Sequence, residues 1–235
     1  MGRREAILAE MGLAPIWRLR RGSSAVQEAQ SDTPMPSEAP AGDPARDWME
    51  LKQLVSGCVK CGLHKTRTQT VFGVGDAAAD WMLIGEAPGA EEDRLGDPFV
   101  GQAGRLLDNM LAAIGLERRK NVYIANVLKC RPPGNRNPEP DEVAKCSPHL
   151  LRQIGLIRPK LIVAMGRFAA QTLLNTGATI ASLRGRLHSY AGVPLIVTYH
   201  PAYLLRNLPD KSKAWADLVF AKKTMLELNR EQKNN

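Results

Sequence analysis

Four short apolar runs recur along the chain: WMLIGE (81–86), VYIANVL (122–128), KLIVAMG (160–166) and PLIVTYH (194–200). Each is rich in β-branched residues, with apolar side chains at consecutive rather than alternating positions, which predicts strands buried on both faces. Between them the period changes. AGRLLDNMLAAIGL places Leu106, Leu107, Met110, Leu111 and Ile114 on one face of a helix. EVAKCSPHLLRQIGLI and GRFAAQTLLNTG predict two further helices, the second closed by Gly177. Strands alternating with helices predict an α/β fold, a three-layer α/β/α sandwich around a central, mainly parallel sheet of four strands. Ligands of such sheets bind beyond the carboxyl ends of the strands. That directs attention to Glu86 and its loop, Asn126 to Arg131, Gly166 and His200.

Upstream of Trp48 the pattern fails. Residues 1–22 hold a candidate amphipathic helix (Ile7, Leu8, Met11) followed by a basic run. Residues 23–47, SSAVQEAQSDTPMPSEAPAGDPARD, carry too little apolar surface to offset chain entropy and predict a disordered linker, leaving 48–235 as the folded domain. The balance of 32 Lys and Arg against 24 Asp and Glu, net charge +8, suits a polyanionic partner such as nucleic acid. No run approaches the roughly eighteen apolar residues of a membrane span, and no secretory signal is evident. A cytoplasmic setting is expected, where cysteines serve as metal ligands or core thiols rather than disulfides.

Three motifs and four cysteines carry the candidate chemistry. Gly85 and Gly89 in IGEAPGAEED let backbone approach a ligand, yet the spacing is not that of a dinucleotide loop. Glu91, Glu92, Asp93 and Asp97 then crowd in ahead of Phe99. Asn126 lies inside an apolar strand, where it is either bonded to backbone or reads a group offering one donor beside one acceptor. His200 ends the last strand, a structural or a catalytic position, and opens HPAYLLR. Lys129, Arg131 and Arg136 flank the second motif as candidate phosphate contacts, while His64, His149 and His188 have no motif and are expected to be structural or at the surface. Cys58-Val-Lys-Cys61 is a chelating pair; with Cys130 and Cys146 it suits tetrahedral zinc or an iron–sulfur cube, and spacing alone does not choose.

Taken in order, GEAPGAEED, PFVGQAGRLL, YIANVLKCRPPGNRNPEP and HPAYLLR, with the cysteines interleaved, resemble the iron–sulfur (family-four) branch of the uracil-DNA glycosylases over roughly residues 48–228. The resemblance implies hydrolysis of the bond between uracil and deoxyribose in DNA, with the base flipped out of the stack. It implies that Phe99 stacks on uracil and that Asn126 reads its imide edge. Glu92, with Glu91 as fallback, would exclude the thymine methyl, and His200 would donate to O2. Glu86 and the other loop acids would face the developing sugar cation. Ala87, in the implied uracil-binding set beside Glu86, stands where a better-known branch has the Asp that handles water; either another group, Glu86 or Asp93, would position water, or leaving-group stabilisation would carry most of the catalysis. Leu204 falls at the superfamily's wedge position, and Arg206 and Arg136 would meet phosphate. One [4Fe-4S] cluster would sit on Cys58, Cys61, Cys130 and Cys146, with a structural role. The implied partner is uracil-containing DNA, single- or double-stranded, bound by a monomer away from any membrane, the N-terminal segment being a candidate tether for a repair or replication partner. Two rivals remain: a related glycosylase for other deaminated bases, and a non-catalytic iron–sulfur DNA-binding module.

Overall fold

Parallel pairing of the four apolar runs organises the molecule. The computed structural model describes residues 43–234; the expected helix at 1–22 and most of the linker at 23–47 lie outside the described residues. The strands are β1 (Val74–Gly75), β2 (Trp81–Gly85), β3 (Val122–Asn126), β4 (Leu161–Met165), β5 (His188–Tyr190) and β6 (Val193–Thr198). They form one six-stranded sheet in the order β1-β3-β2-β4-β6-β5. The four central strands are the expected ones and run parallel. The sheet exceeds the expected four strands because β1 and β5 add antiparallel edges.

Period two within each buried strand feeds both faces of the sheet. Met82, Ile84, Ile162 and Ala164 meet helices α4 (Pro140–Ile157) and α5 (Arg167–Leu173) through Leu150, Ile154, Ala170 and Leu173. Trp81, Leu83, Leu161 and Val163 meet α3 (Gln102–Ala113) and α8 (Lys211–Asn234) through Leu107, Leu111, Leu218 and Met225. Burying each such side chain contributes about 1.5–3 kcal/mol. The result is the expected three-layer arrangement.

The first described helix, α1 (Pro44–Ser56), starts four residues ahead of the expected boundary at Trp48. Its start is written locally: the Asp43 side chain accepts from the Ala45 N–H at 3.0 Å and Pro44 occupies the first turn. Leu51 and Val55 then pack with Trp48 on Phe72. Among the described residues three shorter helices remain, α2 (Ala90–Leu95), α6 (Ile180–Leu183) and α7 (Pro201–Arg206). Because the central strands are parallel, Gly85, Asn126, Met165 and Thr198 all arrive at one edge of the sheet, Gly85 opposite Asn126 and Met165 opposite Thr198. Among the described residues no helix is long and apolar enough to cross a membrane.

Candidate active site

A cleft opens at that edge, and Glu86, Ala87, Glu92, Phe99, Asn126, Arg136, His200 and Arg206 all line it. Sequence separations of more than a hundred residues thus close on one cavity. Its floor depends on a missing side chain. A Cβ at Gly85 would lie 2.5 Å from Asn126 Oδ1 and 2.7 Å from Phe99 Cζ, so only glycine lets the amide and the ring approach each other. Asn126 is 2% exposed, and its Oδ1 is buried without a hydrogen-bond partner. Buried polar atoms are almost always paired, and within the protein this acceptor has no partner.

Phe99 is held in a conformation it would not choose. Its φ of 55° is left-handed, costing a bulky residue of order 1–3 kcal/mol. The surroundings impose it. Arg118 donates to the carbonyl oxygens of Pro98 and Phe99 at 3.0 and 2.9 Å while paired with Asp108 at 2.7 Å. Gly104 in α3 leaves room for the Phe99 carbonyl, which a Cβ there would overlap. From the cleft side, Glu92 Oε1 accepts from the Val100 N–H at 3.0 Å and the Gly101 N–H at 3.5 Å. Glu92 is therefore both a wall of the cleft and a fastener of the Phe99 turn.

His200 caps α7, its Nδ1 accepting from the Ala202 N–H at 3.2 Å. In the neutral ring that assigns the proton to Nε2, a donor. Burial, seconded by the Arg206 charge and opposed by Glu92, pushes the imidazole down to about 4, so it is uncharged at neutral pH. The ring lies 5.4 Å from that of Phe99, tilted by 31°. Gly166, at φ 94°, clears its path, since a Cβ there would come within 2.8 Å of the His200 Cβ. Burial raises Glu86 above the usual carboxylate range, with the Arg167 charge pulling it back.

Several expected site residues take other duties. Leu204, expected at the wedge position, is 1% exposed and packed inward, whereas Leu205, 38% exposed, is the leucine of HPAYLLR that faces outward. The hexapeptide α7 turns one neighbour in and the other out, a phase that residue counting from His200 does not supply. The acidic loop is not a single anionic surface. Glu91 pairs with Arg94 at 2.8 Å, Asp97 with Arg119 at 3.1 Å, and buried Asp93 accepts from the Thr68 N–H at 3.0 Å. Only Glu86 and Glu92 of these acids line the cleft. Arg136 lines it too, but its guanidinium forks onto Glu142 at 2.6 and 2.9 Å, which offsets its charge. Arg206 has no such partner among the described residues and is exposed. Gly85 was singled out in the sequence for backbone approach, not for the room it leaves to Asn126 and Phe99; the Arg118 clamp and Arg167 carried no distinctive signal.

A second pocket gathers Cys58, Cys61, Cys130 and Cys146 from three separate segments, with Lys60, Arg67 and Lys129 beside them. Among the described residues no group of His, Cys, Asp or Glu closes tightly enough for a single metal ion; the cysteines ring a space instead. Arg67 Nη1 donates to Cys130 Sγ at 3.1 Å and the Lys129 N–H to Cys146 Sγ at 3.3 Å. Burial pushes the Cys130 thiol up to about 11, against the pull of Arg67, and raises Cys146 as well. As bare thiols these groups are poorly solvated, whereas surrounding cations suit bound thiolates. His149, expected to be structural or exposed, lines this pocket with its Nε2 buried and unpartnered. Lys129, expected among the phosphate contacts, is buried here and pushed down to about 8 by desolvation, with the Cys146 and Cys130 charges opposing. Ala87 packs between this pocket and the cleft, against Leu63, Leu128 and Cys130.

Comparison with known proteins gives a consistent picture. Residues 72–219 match the family model described as the uracil DNA glycosylase superfamily. The chain is 51% identical over 164 residues to the type-4 uracil-DNA glycosylase of Archaeoglobus fulgidus, covering 66% of this chain and 82% of that protein. It is 44% identical over 182 residues to the type-4 uracil-DNA glycosylase of Pyrobaculum aerophilum, covering 74% and 92%. A third relative, the type-4 uracil-DNA glycosylase of Thermotoga maritima, is 45% identical over 164 residues, covering 67% and 85%.

Proposed function

The chain belongs to the uracil DNA glycosylase superfamily, in its type-4 branch, and from that premise we propose how its cleft works. It is a uracil-DNA glycosylase of DNA repair, which hydrolyses the bond between uracil and deoxyribose and leaves an abasic site. The observation that carries the assignment of roles is the orphaned Oδ1 of Asn126. An everted uracil supplies the missing donor from N3–H and accepts the Asn126 amide at O4. Cytosine reverses that pattern and leaves buried groups unpaired, and sites of this kind discriminate by roughly 10⁴–10⁵.

Phe99 stacks on the base, worth on the order of 1–3 kcal/mol. Glu92, fixed by the Val100 and Gly101 N–H groups, is the wall that refuses the thymine methyl. His200 donates from Nε2 to O2, where negative charge grows as the glycosidic bond breaks. Its neutral state suits hydrogen bonding rather than outright proton transfer. Glu86, in the position before Ala87, steadies the sugar cation or orients the attacking water. The Arg167 charge favours its ionised form against the effect of burial. Arg206 meets phosphate at the rim, and Leu205, not Leu204, fills the vacated stack. Arg136 adds a weaker phosphate contact.

The cysteine pocket fits one [4Fe-4S] cluster: four sulfur donors, a ring of cations and an unpartnered His149 Nε2 that a sulfide would satisfy. When bound, the cluster supplies a cross-link between the segment before β2 and the loop after β3, and we give it a structural role. The protein acts as a monomer on single- or double-stranded uracil-containing DNA in the cytoplasm, a setting that suits its four unbridged cysteines.

The test is alkali cleavage of a uracil-containing oligonucleotide after incubation with wild type, Asn126→Asp and His200→Ala. Wild type should cut, and loss of the His200 donor should lower kcat by about 10²–10³. Asn126→Asp should lose uracil excision and gain some on cytosine at mildly acid pH, where a protonated carboxyl presents the reversed pattern. Uncut DNA with folded, iron-loaded wild type would defeat the assignment.

A further inference from the structure

Lys129 joins the two pockets. It is 1% exposed, and its Nζ donates to the main-chain oxygen of Asn126 at 2.8 Å. Among the described residues no carboxylate pairs with it, and the side chains that line its pocket include Cys130 and Cys146. Its own N–H donates to Cys146 Sγ at 3.3 Å, and it lines the cysteine pocket. A buried ammonium with one neutral acceptor is among the costliest groups to fold without a counter-charge. Here the counter-charge is available only from thiolates, and only when they are held as thiolates.

We propose that Lys129 is a positioning residue that couples the cysteine site to base recognition: bound thiolates hold the ammonium in place, and the ammonium fixes the carbonyl of Asn126, whose side chain reads the base. This rests on the functional reading above, for both the cluster and Asn126. The path is short. Asn126 ends β3, Lys129 lies three residues on, and Cys130 follows it. A shift of the ammonium therefore moves the main chain from which the Asn126 amide is hung. The coupling works in both directions: if cluster charge stabilises one placement of Asn126, a base that demands that placement must alter the cluster's electron affinity by the same factor.

The test uses the iron-loaded protein, wild type beside Lys129→Met, which keeps the stem without the charge, and Lys129→Arg, which keeps a charge. The quantities read are iron per protein, the cluster's midpoint potential with and without saturating free uracil, and the Kd for uracil. Lys129→Met is expected to lower the midpoint, because a neighbouring cation favours the added electron. It should also weaken uracil binding by about tenfold and abolish the midpoint shift that uracil produces in wild type. Lys129→Arg should retain that shift in part. A wild-type midpoint that uracil leaves unchanged overturns the coupling, and this arm decides alone if Lys129→Met does not fold. A folded, iron-loaded Lys129→Met with wild-type midpoint and wild-type uracil affinity overturns it equally. Wild type that holds no iron or binds no uracil defeats the underlying functional reading, and the coupling with it.

Discussion

Replacing Gly85 by alanine adds one methyl group at the floor of the cleft and changes nothing else in the covalent chain. Gly85 is not among the glycines with positive φ, so the backbone accepts alanine without strain. The methyl would lie 2.5 Å from Asn126 Oδ1 and 2.7 Å from Phe99 Cζ, where ordinary contact begins at 3.4 Å. Amide and ring must therefore retreat by about 0.9 and 0.7 Å, and both are groups that touch the base. A misplacement of about 1 Å costs on the order of 10²-fold in rate, close to 2.7 kcal/mol. Overpacking adds a stability loss of about 1–3 kcal/mol. Single-turnover excision from a uracil-containing oligonucleotide, with Tm and visible cluster absorption measured alongside, separates these effects. The expected result is a fall of roughly 30- to 100-fold in excision with the cluster retained. Gly155→Ala is the control, because a Cβ there meets nothing within 4 Å; it should keep full activity and gain up to about 1 kcal/mol of helix stability. Gly85→Ala excising within about threefold of wild type would refute the claim that the two side chains meet because this position is bare.

Three further outcomes follow from the same geometry. Arg118→Met frees the carbonyls of Pro98 and Phe99; uracil KM should rise about tenfold as the ring loses its fixed pose, measured by steady-state excision. Leu204→Ala should cost about 2–5 kcal/mol of stability in urea melts with little change in affinity for DNA. Leu205→Ala should do the reverse, leaving the melt unchanged while slowing base eversion, followed by fluorescence of a base analogue opposite uracil. His200 binds its proton at about 4 when folded against an ordinary 6.5, so the unfolded chain takes up more protons between those values. Its contribution is intact above about pH 6.5 and is lost as pH falls towards 4, by on the order of 3 kcal/mol. The difference between wild-type and His200→Gln urea midpoints should shrink across that window.

The four central strands were legible because burial on both faces writes an unbroken apolar run, and Asn126 stood out by interrupting one. The edge strands Val74–Gly75 and His188–Tyr190 left no such mark: they are short, and their residues are only partly buried. The start of α1 was written in Asp43 and Pro44, but the same residues also complete a Pro-rich linker composition. Converging motifs placed Phe99, Asn126 and His200 in one cleft. Which leucine of HPAYLLR points outward depends on how α7 is rotated against its neighbours, which spacing does not encode. Lys129 and Arg136 illustrate the same limit. Both read as basic loop residues, yet one is buried on a carbonyl and the other forks onto Glu142.

The unpaired oxygen at position 126 also sets two kinds of fitness against each other. An acceptor with no partner within the protein forgoes about 0.5–1.5 kcal/mol of intramolecular hydrogen bonding, a loss that an apolar side chain of similar size does not carry. Selection for heat tolerance alone, blind to catalysis, would therefore enrich leucine or methionine at 126 and yield hardy, inert descendants.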